Sequence, residues 1–273
     1  MIEDTLFYKM TAGGNDFILI PDFENRVEEN LLCDLSKKLC HRQFSVGADG
    51  LIVLKPSQRA HFRWLFFNAD GSEAEMCGNG GRCAAFLAHL LKKAPSELMF
   101  ETKIGLIKGW IKGKIVKISL PPPCDLKLGL EIEVEGKRLQ ADFINTGVPH
   151  LVVFVEDLER VDVKNLGRAL RFHPLFMPAG TNVDFVKWDG ESLRMRTYER
   201  GVEDETFSCG TGATASALIA HLKGLASSPT KVITLGGEAL LIYYESEGNV
   251  IKEVALEGPV RLVYEGRLKE AIW

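Results

Sequence analysis

A chain of 273 residues, 46% hydrophobic and 26% charged, is long enough to bury a large core in one or two domains. Its formal net charge of -4 leaves no basic excess for a polyanion, which argues against nucleic acid as the main partner. The most basic run, Lys103 to Lys117, alternates with Ile, Leu, Trp and Gly as an exposed strand face does.

The opening residues, MIEDTLFYKM, carry acids and no apolar core of leader type, and no apolar run reaches the length of a membrane span. A cytoplasmic, reduced setting is therefore expected. The six cysteines form no Cys-x-x-Cys pair, and Cys40-His41 lacks a second half at zinc-finger spacing, so no metal is expected. Cys33, Cys40, Cys83 and Cys124 read as ordinary packed thiols.

Along the chain, short β-branched and aromatic runs recur between Gly, Pro, Asn and Asp, which is strand punctuation. They begin with DFILI, GLIVL, FRWLFF and the long GLIKGWIKGKIVKISL. LEIEVEG, HLVVFV, VDFVKW, LRMRTYE, KVITLG, ALLIYYE and RLVYEG follow. Helices are predicted over 28–41, 80–93, 163–170 and 212–225. The second and fourth, GGRCAAFLAHLL and GATASALIAHL, are apolar on nearly every face. A helix without a polar face must be wrapped, and in a strand-rich chain the wrapping is a sheet.

The chain also repeats itself. CGNGGRCAAF at Cys77 and CGTGATASAL at Cys209 stand at an offset of 132 (209 − 77). TAGGNDFILI and NTGVPHLVVF, aligned on Gly14 and Gly147, differ by 133 (147 − 14), as do VGADGLIVL and AGTNVDFVKW, aligned on Gly47 and Gly180. Three landmarks in one order at nearly one offset predict a duplicated domain. The proline-rich SLPPPCDL is the expected hinge, and a break is expected at Gly258-Pro259.

A Gly-x-Gly turn opening a helix aims unpaired backbone N–H groups at one point, where an anion is favoured. A cysteine just before that turn meets the positive end of the helix dipole, so an acidified thiol is expected in each half. Two such halves facing each other suit inversion of an amino-acid stereocentre, one thiolate removing the α-proton while a thiol delivers one to the other face. The competing use of two close thiols is a redox disulfide, which has no need of twin anion cradles.

The motifs FNADGSEAEMCGNGGRCAAF and YERGVEDETFSCGTGATASA closely resemble the two signature regions of the diaminopimelate epimerase family. KMTAGGNDF, VGADG, GVPH and GTNVDFV fall in the same order as that family's other segments, so the resemblance spans almost the whole chain. It implies an isomerase that interconverts L,L- and meso-diaminopimelate without pyridoxal phosphate or metal, in lysine and cell-wall biosynthesis. It also implies a homodimer acting on a small amino-acid substrate, with no cofactor.

Carried over by position, the resemblance implies Cys77 and Cys209 as the two catalytic thiols. Gly78, Asn79, Gly210 and Thr211 would hold the reacting carboxylate through backbone N–H groups. Asn15, Asn68, Asn182, Glu199 and Arg200 would recognise the distal zwitterion, and His150 would lie close to the reacting centre. Each has a local alternative: Asn15 and Asn182 are also turn residues, Glu199-Arg200 is also a surface charge pair, and His150 also caps a strand. His89 and His221 read as packing or capping residues. Val148, Gly50 and the Thr11-Ala12 pair depart from the usual family pattern, and these positions touch substrate recognition rather than the thiols.

The fold expected is α/β (α+β), with two pseudo-symmetric domains, each a curved, mostly antiparallel sheet or barrel around a central helix, and an active-site cleft between them. The first domain would comprise 1–120, with 260–273 returning to it, and the second 121–259. Two rivals remain: a proline or hydroxyproline racemase of the same two-cysteine type, and a thiol-redox or anion-binding protein without epimerase activity.

Overall fold

The computed structural model describes residues 4–269. The last part of the expected return, 270–273, lies outside the described residues. The chain begins with β1 (Leu6–Ala12), β2 (Asn15–Pro21), α1 (Leu32–Cys40), β3 (Gly50–Lys55), β4 (Phe62–Asn68) and α2 (Gly78–Leu90). It continues with β5 (Glu97–Thr102), β6 (Gly105–Lys112), β7 (Ile115–Leu120), β8 (Cys124–Val134), β9 (Lys137–Asn145) and β10 (Pro149–Phe154). Then come α3 (Val163–Arg171), β11 (Asn182–Trp188), β12 (Leu193–Glu199), β13 (Asp204–Thr206) and α4 (Gly210–Leu222). The last strands are β14 (Thr230–Ile233), β15 (Ala239–Glu247), β16 (Val250–Pro259) and β17 (Arg261–Arg267). No helix among the described residues is long and apolar enough to cross a membrane.

Two compact units divide the chain: the described residues up to Ser119 together with those from Gly258 onward, and Leu120–Glu257. In the first, β1–β2, β3–β4, β5–β6 and β6–β7 pair antiparallel, while β2–β3 and β4–β5 pair parallel. In the second, β9–β10, β11–β12, β14–β15 and β15–β16 are antiparallel, while β10–β11 and β12–β14 are parallel. The alternation is the same apart from the short β13, which pairs antiparallel with β12. β17 pairs antiparallel with β1 as β8 does with β9. Each unit is thus a mostly antiparallel, sheet-dominated α+β body.

Why the strand runs are continuously apolar is clear from what covers them. Phe17, Ile18, Leu19 and Ile20 of β2 are all buried. Ile18 and Ile20 cluster with Leu32, Leu35 and Leu39 of α1, while Phe17 faces the other way, towards Gly80 in α2. A strand covered on both faces needs no polar alternation. Burial of each α1 leucine contributes roughly 1.5–3 kcal/mol, so packing rather than propensity holds that short helix. In the second unit, Leu151 and Val153 of β10 and Val183 and Phe185 of β11 cluster with Val163 and Leu170 of α3. Their alternate neighbours are left to face α4.

α2 packs against β1, β2, β3 and β6, and α4 against β9, β10, β11, β12, β14 and β15. Both are buried along nearly their whole length, as helices without a polar face must be. They start at Gly78 and Gly210, two residues sooner than expected, because Cys77 (φ −146°, ψ 116°) and Cys209 (φ −126°, ψ 113°) take the extended N-cap conformation themselves. Of the proline-rich SLPPPCDL, only 121–123 lies outside strands, between β7 and β8. The division between the units falls at the expected Gly258-Pro259 step, and β16 runs across it, with proline tolerated at the strand's last residue. Cys124, expected to be packed, is exposed at the start of β8.

Candidate active site

In the first unit, Cys77 caps α2, and its Sγ accepts a hydrogen bond from the Gly80 N–H at 3.4 Å. The first turn of α2 carries Asn79, which is buried. Its Nδ2 donates to Asn15 Oδ1 at 2.8 Å, and its Oδ1 accepts from Arg82 Nη2 at 2.6 Å. Asn15 in turn donates to Asp49 Oδ2 at 3.0 Å. Gly13 has a φ of +61°, and a Cβ there would lie 2.7 Å from Asn79 Nδ2, so the β1–β2 turn must be glycine to admit this amide. The structure therefore joins Asn15 and Asn79 in one polar chain beside Cys77 and Gly78. Asn68, at the end of β4, stands apart from that chain and donates to Ser72 Oγ at 3.0 Å.

In the second unit, Cys209 caps α4 and its Sγ lies 3.4 Å from Thr211 Oγ1. Thr211 Oγ1 lies 2.9 Å from His150 Nε2, and His150 Nδ1 lies 2.7 Å from Asp184 Oδ2. Asp184 Oδ1 accepts from the Thr197 hydroxyl at 2.7 Å. His150 and Asp184 sit on the faces of β10 and β11 that α3 does not cover. Glu199, at the end of β12, accepts a hydrogen bond from Thr206 Oγ1 at 2.9 Å, and its carboxylate acts on the Cys209 thiol. It is therefore a neighbour of this thiol, not only a candidate for the distal end of a substrate. Asn182 Nδ2 donates to the Pro149 carbonyl at 2.9 Å, and its Oδ1 accepts from the Arg200 N–H at 2.8 Å. The Arg200 guanidinium donates to the Ala179 carbonyl at 3.1 Å. Gly210 is the first residue of α4.

Cys209 corrects one expectation. Burial pushes its thiol well above the usual range, and the Glu199 and Asp184 carboxylates push the same way. Hydrogen bonding to Thr211 and the Gly212 N–H acts in the opposite sense and does not reverse this. Desolvation thus outweighs the helix terminus, and Cys209 is a thiol rather than an acidified one. Burial also raises the Glu199 carboxyl, with Asp184 adding to the rise, against hydrogen bonds from Thr206 and Cys209 and the attraction of His150.

Sequence reasoning missed Asp184, Thr197, Arg82 and Asp49. Two of them carried a signal. Asp184 interrupts an apolar strand on the face opposite Val183 and Phe185, and Arg82 interrupts an otherwise apolar helix. His89 and His221, in the last turns of the buried helices, hold the segments that follow, with Nδ1 3.2 Å from the Ala94 carbonyl and 3.3 Å from the Ala226 carbonyl. Among the described residues, no group of three or more His, Cys, Asp or Glu side chains could hold a metal ion.

The two like-built, sheet-dominated units define a two-domain α+β fold class with solved members. A phenazine biosynthesis protein of the PhzF family from Bacillus anthracis superposes with a TM-score of 0.74 at 14% identity, covering 96% of this chain and 98% of that one. A hydroxyproline epimerase from Agrobacterium vitis superposes with a TM-score of 0.71 at 16% identity, covering 98% and 94%. Within that class the sequence is more specific. The diaminopimelate epimerase family profile matches residues 7–117 and 143–263. The diaminopimelate epimerase of Aquifex aeolicus is 46% identical over 97% of this chain and 98% of its own length. The chain belongs to the diaminopimelate epimerase family.

Proposed function

We propose that the chain is an isomerase, a diaminopimelate epimerase that interconverts the L,L and meso forms by two-base proton transfer between thiols. The observation that carries this reading is the cysteine placed as N-cap of a buried helix in each of two like-built units. In this scheme Cys77 and Cys209 act on opposite faces of one α-carbon, one as thiolate base and the other as thiol acid. The high proton affinity of Cys209 supports it as the acid in the resting protein. The N–H groups at Gly78, Asn79, Gly210 and Thr211 would hold the reacting carboxylate and bind it more strongly as it becomes enediolate-like.

Asn15, Asn68, Asn182 and Arg200 would meet the distal ammonium and carboxylate, with Glu199 placed to serve the thiol as well. The reading needs no cofactor. A cytoplasmic setting and a homodimer belong to it on the family resemblance, and the mass in solution tests the dimer. The function itself is tested by incubating the protein with L,L-diaminopimelate in deuterium oxide without added cofactor. Deuterium entering the α-carbon of the newly inverted centre is the expected result. Exchange with proline or hydroxyproline but not with diaminopimelate would favour the racemase reading, and no exchange with any of them would overturn both.

A further inference from the structure

The two buried helices end alike, but what lies against their ends differs. His89 and His221 stand 132 positions apart (221 − 89), the offset of the two cysteines. Each directs Nδ1 at an alanine carbonyl just beyond its helix, that of Ala94 or Ala226. A carbonyl only accepts, so Nδ1 carries the proton, and Nε2 of the neutral ring is an acceptor. In the second unit that acceptor is used. Nε2 of His221 lies 2.8 Å from the Ser246 hydroxyl, and the Tyr244 ring lies 4.8 Å from the imidazole, centroid to centroid.

Strand register gives the counterparts of Tyr244 and Ser246 in the first unit. Leu98 pairs with Gly109 as Thr230 pairs with Ile242, which aligns Ile111 with Tyr244 and Gly113 with Ser246. Backbone bonding agrees: the Ile111 N–H donates to the Ser96 carbonyl, and the Tyr244 N–H donates to the Ser228 hydroxyl. Ser96 and Ser228 are again 132 apart (228 − 96). Beside His89 the aromatic ring and the hydroxyl are therefore both missing. A Cβ on Gly113 would have nothing within 4 Å, and among the described residues His89 Nε2 has no hydrogen-bond partner. What remains is a hollow of about 500 Å³ walled by Phe86, Leu90 and Ile111 and lined also by Lys92 and Lys114. No acid lines it, and among the described residues neither lysine is in an ion pair.

We propose that this hollow binds a small aromatic carboxylate that carries an O–H or N–H donor. The ligand's ring takes the place beside the imidazole that Tyr244 fills in the second unit, against Phe86, Leu90 and Ile111. Its donor meets His89 Nε2 as the Ser246 hydroxyl meets His221. Its carboxylate is held by the Lys92 and Lys114 ammonium groups. The site lies at the other end of the 13-residue α2 from Cys77, roughly 20 Å away along the helix axis. It is a second site, and it stands whether or not the epimerase reading does.

Indoleacetate, which combines a flat ring, an N–H and a carboxylate, is titrated into the full-length protein and followed by calorimetry. Saturable binding with a Kd of about 1 mM or below is expected for a ligand of this size. Ile111→Tyr restores the ring found in the second unit and should weaken binding about tenfold or more by filling the hollow. Replacing both lysines, Lys92→Gln with Lys114→Gln, should weaken it about tenfold and remove most of its dependence on salt. The N-methyl derivative of the probe, which has no donor for His89, should bind about fivefold to tenfold more weakly.

Absence of saturable binding up to about 10 mM, or affinity unchanged by Ile111→Tyr, would overturn the proposal. Equal affinity for the N-methyl derivative would remove the contact with His89 and overturn it as well. Lys92 and Lys114 are exposed, so their replacement does not threaten folding. Should Ile111→Tyr fail to fold, unchanged affinity in the two-lysine variant would be sufficient to reject the site.

Discussion

The His150 imidazole and the Asp184 carboxylate meet at 2.7 Å with neither side chain exposed to solvent. Such a pair is favourable only while its remaining hydrogen bonds are made, and Thr211 and Thr197 make them. Asp184→Ala would strand a ring N–H and a threonine hydroxyl at once, at a cost of roughly 2–5 kcal/mol. Denaturant unfolding at neutral pH measures this. A loss within experimental error would mean the pair is structurally dispensable.

The starts of the buried helices should tolerate added methyl groups unequally. Gly212→Ala drives its Cβ against a fixed carboxylate, whereas Gly80→Ala meets the end of Ile52, a side chain that can turn aside. We expect Gly212→Ala to cost about 1–3 kcal/mol and to disturb the Asp184 contacts, with Gly80→Ala the milder change. Comparing the two melting temperatures is enough, and the reverse ranking would contradict the packing described.

Alkaline pH should destabilise the fold through Cys40. Burial pushes its thiol from 9.0 to about 12, with Asp16 and Asp49 adding to the rise and Lys9 and Arg42 opposing it. The unfolded chain therefore releases this proton first as pH rises. Stability from the protonated thiol is full below 9.0 and declines up to about 12, with a slope near 1.4 kcal/mol per pH unit for one such group. Cys40→Ala should make stability less dependent on pH in that window. An unchanged slope would show that Cys40 is not its source.

Asn15 is expected to matter for binding more than for chemistry, since it holds the amide of Asn79 rather than a thiol. Asn15→Ala should raise KM for diaminopimelate about tenfold or more while lowering kcat less, the pattern of lost uniform binding. Steady-state kinetics in both directions decide it. A loss confined to kcat would place Asn15 in the chemical step instead.

What could be read from the sequence follows from which forces are local. GGRCAAFLAHLL and GATASALIAHL, apolar on nearly every face, announced wrapped helices, and they are wrapped, because a helix without a polar face has no other stable place. Strands such as Glu97–Thr102 and Lys137–Asn145 escaped notice because much of their length is polar and their pairing is set by distant neighbours. The raised thiol of Cys209 was illegible for the same reason: the helix terminus is local, but the burial and the two carboxylates that overcome it come from β11, β12 and the surrounding fold. The His150–Asp184 contact joins residues 34 apart in sequence and needed the β10–β11 register to be seen.

The central claim is that two thiols, one from each unit, are both required to invert the substrate carbon. It is tested most directly by assaying Cys77→Ala and Cys209→Ala separately with L,L-diaminopimelate in deuterium oxide. The account expects each variant to lose formation of the meso isomer by about 10³-fold or more, in line with removing an essential acid or base. A single variant that still formed the meso isomer at a rate near that of the unaltered protein would contradict it.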